Sequence, residues 1–367
     1  MDKLSQIALS MIPGLGPTSC RKLLGIYPGE DIFALPAKEL DLAFGSHHEI
    51  AAAIAGKRTH ARAEEELRYC EEKGIRVLFC TDEEYPARLN REETQDCPVV
   101  LYVLGTADLN AGRAVGVVGT RRATSQGRET TGRLVAELMP YGALIVSGLA
   151  YGIDTAAHAA AVEEGLPTVA VLGHGLDRIY PQQNRKLAAE IVKGGGALVT
   201  EYPSGTEINP RYFPARNRII AALSDAVAVV EATERGGALI TAGIAMGYHR
   251  EVFAVPGRLT DTYSTGTNNL IATNKALMVR RGDDIAYQLG WPLAQGGGVQ
   301  QQLFEVAALT AEEEGMVELL RRQGALTLDE MVAESGMTMP KVAALIFELE
   351  MQKAVRALPG RLYEVAI

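Results

Sequence analysis

The sequence is short of cysteine, of long apolar runs and of positive charge, and each shortage narrows what the chain does. Its four cysteines, Cys20, Cys70, Cys80 and Cys97, stand far apart without a C-x-x-C pair, so neither a zinc site nor a disulfide framework is signalled and buried thiols are expected. No window approaches the roughly 18 to 20 consecutive apolar residues of a membrane span. The stretch "MDKLSQIALSMIPGLG" lacks the basic, apolar and small-residue order of a signal peptide. A cytoplasmic protein without a membrane span is the expectation. Acidic residues outnumber basic ones, 45 to 36, for a net charge of −9, which argues against a protein that coats duplex DNA through bulk charge. Any nucleic-acid site has to be a local basic patch.

What is present suits two or three globular domains: 367 residues, 47% hydrophobic and 22% charged. Residues 1–73 read as a helical domain. Within it, Ile12-Pro13-Gly14-Leu15-Gly16 is a helix-hairpin-helix signature, with an amphipathic helix expected from Ser19 and Leu23 and Leu24 inward. The stretch "FALPAKELDLAFGS" could supply a degenerate second hairpin. Amides at such a turn can face a phosphate, but only Arg21 and Lys22 lie close by, so a structural role and a DNA contact both remain open.

From residue 74 to 293 the character changes to apolar runs between helical stretches: "IRVLFC", "VVLYVLG", "AVGVVGT", "GALIVSG", "TVAVLG", "GALVTEYP", "DAVAVVEA" and "EVFAVPG". Most are unbroken strings without alternation, as expected of strands buried on both faces of a parallel sheet. Alternation with helices predicts an α/β fold, a Rossmann-like doubly wound sheet. Residues 294–304 are Gly/Gln-rich and read as a linker. Residues 305–367 show three amphipathic helices, then two β-like runs around Pro359-Gly360, the pattern of a winged helix. Its third helix is acidic and offers little base-reading chemistry beyond Lys341 and Gln352, which favours a protein-contact or regulatory role.

Ligands of open α/β sheets bind beyond the carboxyl ends of the strands, so the loops there are the candidates. The run "AVGVVG" ends at Gly119 and is followed by Thr120-Arg121-Arg122, then small polar residues to Ser125 that lead into a helix. Where a dinucleotide binder carries further glycines, this loop has guanidiniums, whose planar forks suit phosphate oxygens. The next loop turns at Ser147, Gly148 and Gly152, with Asp154 and Thr155 expected to cap a helix. Asp154 and His158 stand four apart, but a cap and a packed histidine account for them without catalysis.

The third loop offers Gly173, Gly175, Tyr180, Asn184, Arg185 and Lys186 around a helix start, and the fifth offers Arg235, Gly236 and Gly237. In the fourth, Arg211, Tyr212, Phe213, Arg216, Asn217 and Arg218 interleave arginines with aromatics, as single-stranded nucleic acid requires: a charged track for the backbone and faces for the bases. A solvated, helix-capping arginine cluster is the alternative. No loop supplies a metal-ligand cluster, a nucleophile with its base or a clear carboxylate pair, so neither catalysis nor a cofactor is expected.

The strings "VGTRRATSQG", "SGLAYGIDTAAHAAA", "VLGHGLDRIYPQQN", "YFPARNRIIAALSDAVAVVEA", "GGALITAGIAMGYHREVFAVPG" and "GTNNLIA" resemble the bacterial DNA-processing protein A family, DprA or Smf, over about residues 115–280. Longer members of that family are similar in their flanks too, with a helix-hairpin-helix-like (SAM-like) domain before and a winged helix after. The resemblance implies binding and protection of incoming single-stranded DNA during natural transformation, and loading of the RecA recombinase onto it. It carries the family's phosphate-contacting arginine onto Arg121.

The family's lysine in a YP-K-x-N loop is Gln182 here, a departure for which Arg185 or Lys186 could compensate. The resemblance also implies a homodimer through the C-terminal part of the Rossmann-like domain, near "TGTNNLIATNKALMV", joining two basic pockets. Two other functions compete. Nucleotide-cleaving phosphoribohydrolases carry a P-G-G-x-G-T-x-x-E loop, but "RGGALITAGI" places Ile244 about where the acid would sit. A winged-helix transcription factor would need a less acidic reading helix.

Overall fold

Each of the eight apolar runs forms a strand in the computed structural model, which describes residues 1–45, 48–294, 310–351, 354–358 and 362–365. The chain divides into two units, Met1–Gln295 and Gly296–Ile367, and the helical segment 1–73 lies in the first, with the sheet. From residue 295 onward the expected linker falls outside the described residues, as do Gln352 and the turn at Pro359-Gly360.

The first unit opens with helices α1 (Lys3–Ser10), α2 (Pro17–Ile26), α3 (Ala37–Phe44), α4 (His48–Ala55) and α5 (His60–Lys73). Helix α2 starts two residues before the expected Ser19: Pro17, with its fixed φ and no amide to orphan, is suited to the first helical position. Gly14, at φ +83°, makes the hairpin turn.

Then follow β1 (Arg76–Phe79), β2 (Val100–Gly105), β3 (Ala114–Val118), α6 (Ser125–Ala136), β4 (Leu144–Ser147), α7 (Ile153–Glu163), β5 (Thr168–Val171), α8 (Arg185–Lys193) and β6 (Ala197–Thr200). After these come α9 (Tyr212–Leu223), β7 (Ala226–Val229), α10 (Gly237–Gly247), β8 (Glu251–Ala254), α11 (Thr265–Ala272), β9 (Leu277–Met278) and α12 (Gly282–Gln288).

The sheet order is β1-β2-β6-β5-β4-β3-β7-β8-β9. From β6 to β9 every pairing is parallel, and helices separate the strands in sequence, giving a Rossmann-like doubly wound sheet. Strands β3, β4, β5 and β7 are buried along their whole length, which is why they read as unbroken apolar strings. Two features depart from the simple pattern. Strands β1 and β2 extend the sheet in antiparallel fashion, and β9 is a two-residue edge too short to show in the sequence.

Polar ties join the leading helices to the sheet. Arg21 donates through Nη2 to the carbonyls of Leu89, Cys97 and Pro98 at 3.1 to 3.3 Å, so this basic residue of the hairpin is committed to packing. Glu66 on α5 accepts from the amide of Ser204 at 2.9 Å and from its hydroxyl at 2.5 Å, bracing the loop that leads into α9. Arg88 forks onto Asp225 with two 2.9 Å bonds, and the same carboxylate accepts from the Ala114 amide at 2.8 Å, fixing the starts of β3 and β7.

The second unit contains α13 (Ala311–Gln323), β10 (Leu326–Thr327), α14 (Leu328–Ser335), α15 (Met339–Met351), β11 (Val355–Leu358) and β12 (Leu362–Val365). Its antiparallel sheet, ordered β10-β12-β11, completes a winged helix. Capping boxes at Thr310/Glu313 and Thr327/Glu330 start two of its helices. Buried Met316, Leu320, Met331, Ile346 and Leu349 form its core. Among the described residues no helix is long and apolar enough to cross a membrane.

Candidate nucleic-acid interface

Strand β3 is flanked by β4 on one side and β7 on the other, so the connections leave in opposite directions and open a crevice beyond its carboxyl end. The Arg121 loop follows β3 directly into this crevice. Its base is latched to the segment that follows β7: the Thr120 amide donates to the Glu231 carbonyl at 2.7 Å. The Glu231 carboxylate accepts from the Thr124 amide at 3.0 Å and from its hydroxyl at 2.5 Å. Thr124 is the N-cap of α6 and accepts from the Gly127 amide. Ser125 and Arg122 lie exposed at the surface.

A cavity of about 250 Å³ occupies the crevice. Gly119, Thr120 and Arg121 line one wall, Phe213, Arg216 and Asn217 of α9 a second, and Gly236 and Gly237 at the start of α10 a third. Gly236 is the N-cap of α10 and no acidic residue stands in its first turn, so the Gly237 and Ala238 amides, without a partner among the described residues, and a positive dipole lie at the cavity. The exposed Arg121 guanidinium lies 5.6 Å from the centre of the Phe213 ring, and that ring lies 5.5 Å from Tyr180. Among the described residues the Arg121 guanidinium has no hydrogen-bond partner, which leaves its planar fork for a ligand.

Arg216 is different in kind. It is buried at 4% exposure, donates through Nη2 to the Gly148 carbonyl at 2.7 Å, and leaves its Nε without a partner among the described residues. Burial pushes its pKa down to about 10, against the opposing pull of the neighbouring Asp154 carboxylate. Burial in turn raises the pKa of Asp154, while Arg216 and the Gly148 and Ala150 amides favour its charged form. Asp154 is therefore not the cap expected of it: Gly152 precedes α7, and Asp154 reaches back to the amides of its own loop. It lines the cavity, a placement the sequence did not reveal.

Other residues named from the sequence support this constellation without entering it. Ser147 is buried and donates to the Val117 carbonyl at 2.6 Å, tying β4 to β3. Gly173 makes room for Phe213, since a Cβ there would stand 3.1 Å from its ring, and Gly175 sits against the Pro203 carbonyl. Asn184 is buried, holding the Leu149 carbonyl and the Thr155 hydroxyl at 2.9 Å each. Gln182, Arg185 and Lys186 are exposed at the start of α8, with Lys186 paired to Glu190 at 3.5 Å. Arg218 forks onto Glu201 with two 2.6 Å bonds and also donates to the Asp96 carbonyl, so it clamps α9 to the end of β6.

Both buried histidines of these loops brace structure. His158 Nδ1 lies 2.7 Å from the Thr168 hydroxyl, whose own hydrogen goes to the Ile145 carbonyl, so the ring is the donor. His174 joins the Gly175 carbonyl to the Tyr180 amide and so orients the Tyr180 loop. Ile244 packs against the core from α10. In the winged helix, Lys341 is bound to Glu312 at 2.5 Å. Among the described residues no group of His, Cys, Asp and Glu could hold a metal ion.

Comparison with known proteins bears on this site. The family model for DNA recombination-mediator protein A matches residues 76–290, and that for the DprA winged helix domain matches residues 304–361. Protein Smf of Synechocystis is 32% identical over 98% of this chain and 97% of its own length, and a putative DNA processing protein DprA of Mycobacterium tuberculosis is 35% identical over 86% and 83%. The X-ray structure of DNA processing protein A from Streptococcus pneumoniae aligns with a TM-score of 0.69 at 33% identity, over 80% of this chain and 99% of that one. A structure describing the single-stranded DNA binding mode of the Helicobacter pylori protein aligns with a TM-score of 0.53 at 31% identity, over 59% and 97%. With more than half its length matched by the family model and nearly all of it aligned to an Smf protein, the chain belongs to the DNA recombination-mediator protein A family, DprA or Smf.

Proposed function

We propose that this protein binds single-stranded DNA in the crevice beyond β3 and acts as a recombination mediator, protecting incoming strands and loading the RecA recombinase during natural transformation. The observation that carries the binding is the Arg121 guanidinium, held over Phe213 by a loop latched to Glu231 and free of protein hydrogen bonds among the described residues. A fork of donors beside an aromatic pair suits a phosphate followed by a base, and the amides of α10 add donors to the same cavity. The single-stranded DNA bound by the Helicobacter pylori relative supports the reading.

Neither metal nor cofactor enters the proposal, and it assigns no bond-breaking step. Dimerisation is assigned to residues 265–279, where Leu277 and Met278 of the edge strand β9 are 41% and 52% exposed, giving two basic crevices to one strand. The protein acts in the cytoplasm. A gel shift comparing single- and double-stranded oligonucleotides, with and without RecA, tests the function. Preference for the single strand and faster assembly of RecA on it are expected. Equal affinity for duplex would overturn the first half, and no effect on RecA the second.

A further inference from the structure

A second cavity, of about 310 Å³, shares Arg121 with the first as a lining residue. Its walls come from Arg121, Arg128, Tyr151, Thr155 and Gln183, with Ala156 and Ala159 supplying apolar surface. Among the described residues no carboxylate lines it, whereas Asp154 lines the first cavity. Two guanidiniums, an aromatic ring and an amide without a countercharge suit an anionic ligand with a flat, polar-edged ring. The volume is at the small end of small-molecule sites, which begin near about 300 Å³.

The spacing of these groups is set by backbone. Gly152, at φ +80°, packs so closely on the Arg121 loop that a Cβ there would stand 2.2 Å from the Thr120 carbonyl, and that carbonyl accepts from the Ile153 amide at 3.2 Å. Arg121 and Tyr151 are thereby carried on two loops fastened to each other. Tyr151 is 41% exposed, and its hydroxyl donates to Gln183 Oε1 at 2.5 Å. That bond occupies the oxygen of Gln183 and leaves its amide hydrogens to meet an acceptor. Arg128 is oriented by a 2.9 Å bond to the Ala123 carbonyl.

We propose that this second cavity is a nucleobase site for the nucleotide next to the one whose phosphate Arg121 holds, with Tyr151 as stacking surface, Gln183 as donor to a carbonyl on the base edge and Arg128 as partner of the following phosphate. The proposal rests on single-strand binding in the first cavity and assigns a path to the strand, past Arg121 from one cavity into the other. It also assigns to Tyr151 the sequence-tolerant affinity that base stacking supplies.

Fluorescence anisotropy with a labelled 20-nucleotide oligothymidylate tests it on the full-length protein and its Tyr151→Leu, Tyr151→Trp and Arg121→Ala variants. Loss of one stacked base is expected to weaken the Tyr151→Leu variant roughly 5- to 150-fold. Tyr151→Trp, which keeps an aromatic face, is expected to bind within about threefold of the wild type. Wild-type affinity in Tyr151→Leu would overturn the second site and leave the Arg121 site standing, as would an equal loss in Tyr151→Leu and Tyr151→Trp. No binding of the oligothymidylate by the wild-type protein would instead overturn the underlying function.

Discussion

Arg216 and Gly148 occupy one another's space: the guanidinium donates to the Gly148 carbonyl at 2.7 Å, and a Cβ on residue 148 would lie only 1.5 Å from its Nη1. Glycine at 148 is therefore the condition for seating a buried arginine behind the cavity. Gly148→Ala is expected to drive the guanidinium from its seat beside Asp154, at a cost of about 1–3 kcal/mol for overpacking. Chemical denaturation together with strand-binding anisotropy should show both stability and affinity falling. A variant as stable and as tight-binding as the wild type would contradict the arrangement.

Arg121 and Arg218 should respond in opposite ways to the same truncation. Arg121 spends no hydrogen bond on the described protein, so Arg121→Ala is expected to leave the melting temperature in place while weakening single-strand binding by about 1–3 kcal/mol. Arg218 is a largely buried partner of Glu201, with 14% and 15% of the two side chains exposed, so Arg218→Ala should cost about 3–5 kcal/mol of stability. Denaturation and anisotropy on the two variants separate these outcomes.

Because the binding is assigned to phosphate contacts, affinity should fall steeply with salt. The slope of log affinity against log salt should become shallower by about 0.7 in Arg121→Ala if one phosphate contact is lost. A titration from low to moderate salt on both proteins measures this, and identical slopes would remove Arg121 from the phosphate track.

Glu231 is a positioning residue, buried at 7% exposure, that holds the amide and hydroxyl of Thr124 at the base of the Arg121 loop. Glu231→Ala leaves those donors without their acceptor, at a cost of about 1–3 kcal/mol. Weaker strand binding is expected with little change in the salt slope, since no phosphate contact is itself removed. A slope that fell as in Arg121→Ala would argue for a direct role.

His158 sets one part of the acid response. Burial, with the Arg216 charge adding to it, pushes its pKa down from 6.5 to about 3. The folded state therefore takes up this proton later than the unfolded chain does. Stability is fully present above pH 6.5 and is lost as pH falls from there toward 3, by at most about 1.4 kcal/mol per pH unit. His158→Gln should flatten that part of a denaturation-midpoint profile, and a slope unchanged by the substitution would assign the loss elsewhere.

The sequence by itself determined the α/β architecture, because strands covered on both faces have no polar side to show: "AVGVV" and "AVAV" were legible as β3 and β7 from their unbroken apolar character. It also pointed to the loops beyond the carboxyl ends of the strands as candidates, but where the strand order reverses and opens the crevice is shown only by the folded sheet. Pairing direction was not legible for β1 and β2, whose apolar strings look like those of the parallel strands.

Nor could the sequence apportion the arginines of "FPARNR". Arg216 and Arg218 are two residues apart on α9, and with 3.6 residues per turn they point about 200° apart around the axis. One guanidinium lies behind the cavity and the other clamps Glu201. Residue type gave the expectation of an anion at these loops. Only the tertiary structure decided which positive charges are left to meet it, because a guanidinium that has found a buried carboxylate or carbonyl has little to offer a phosphate.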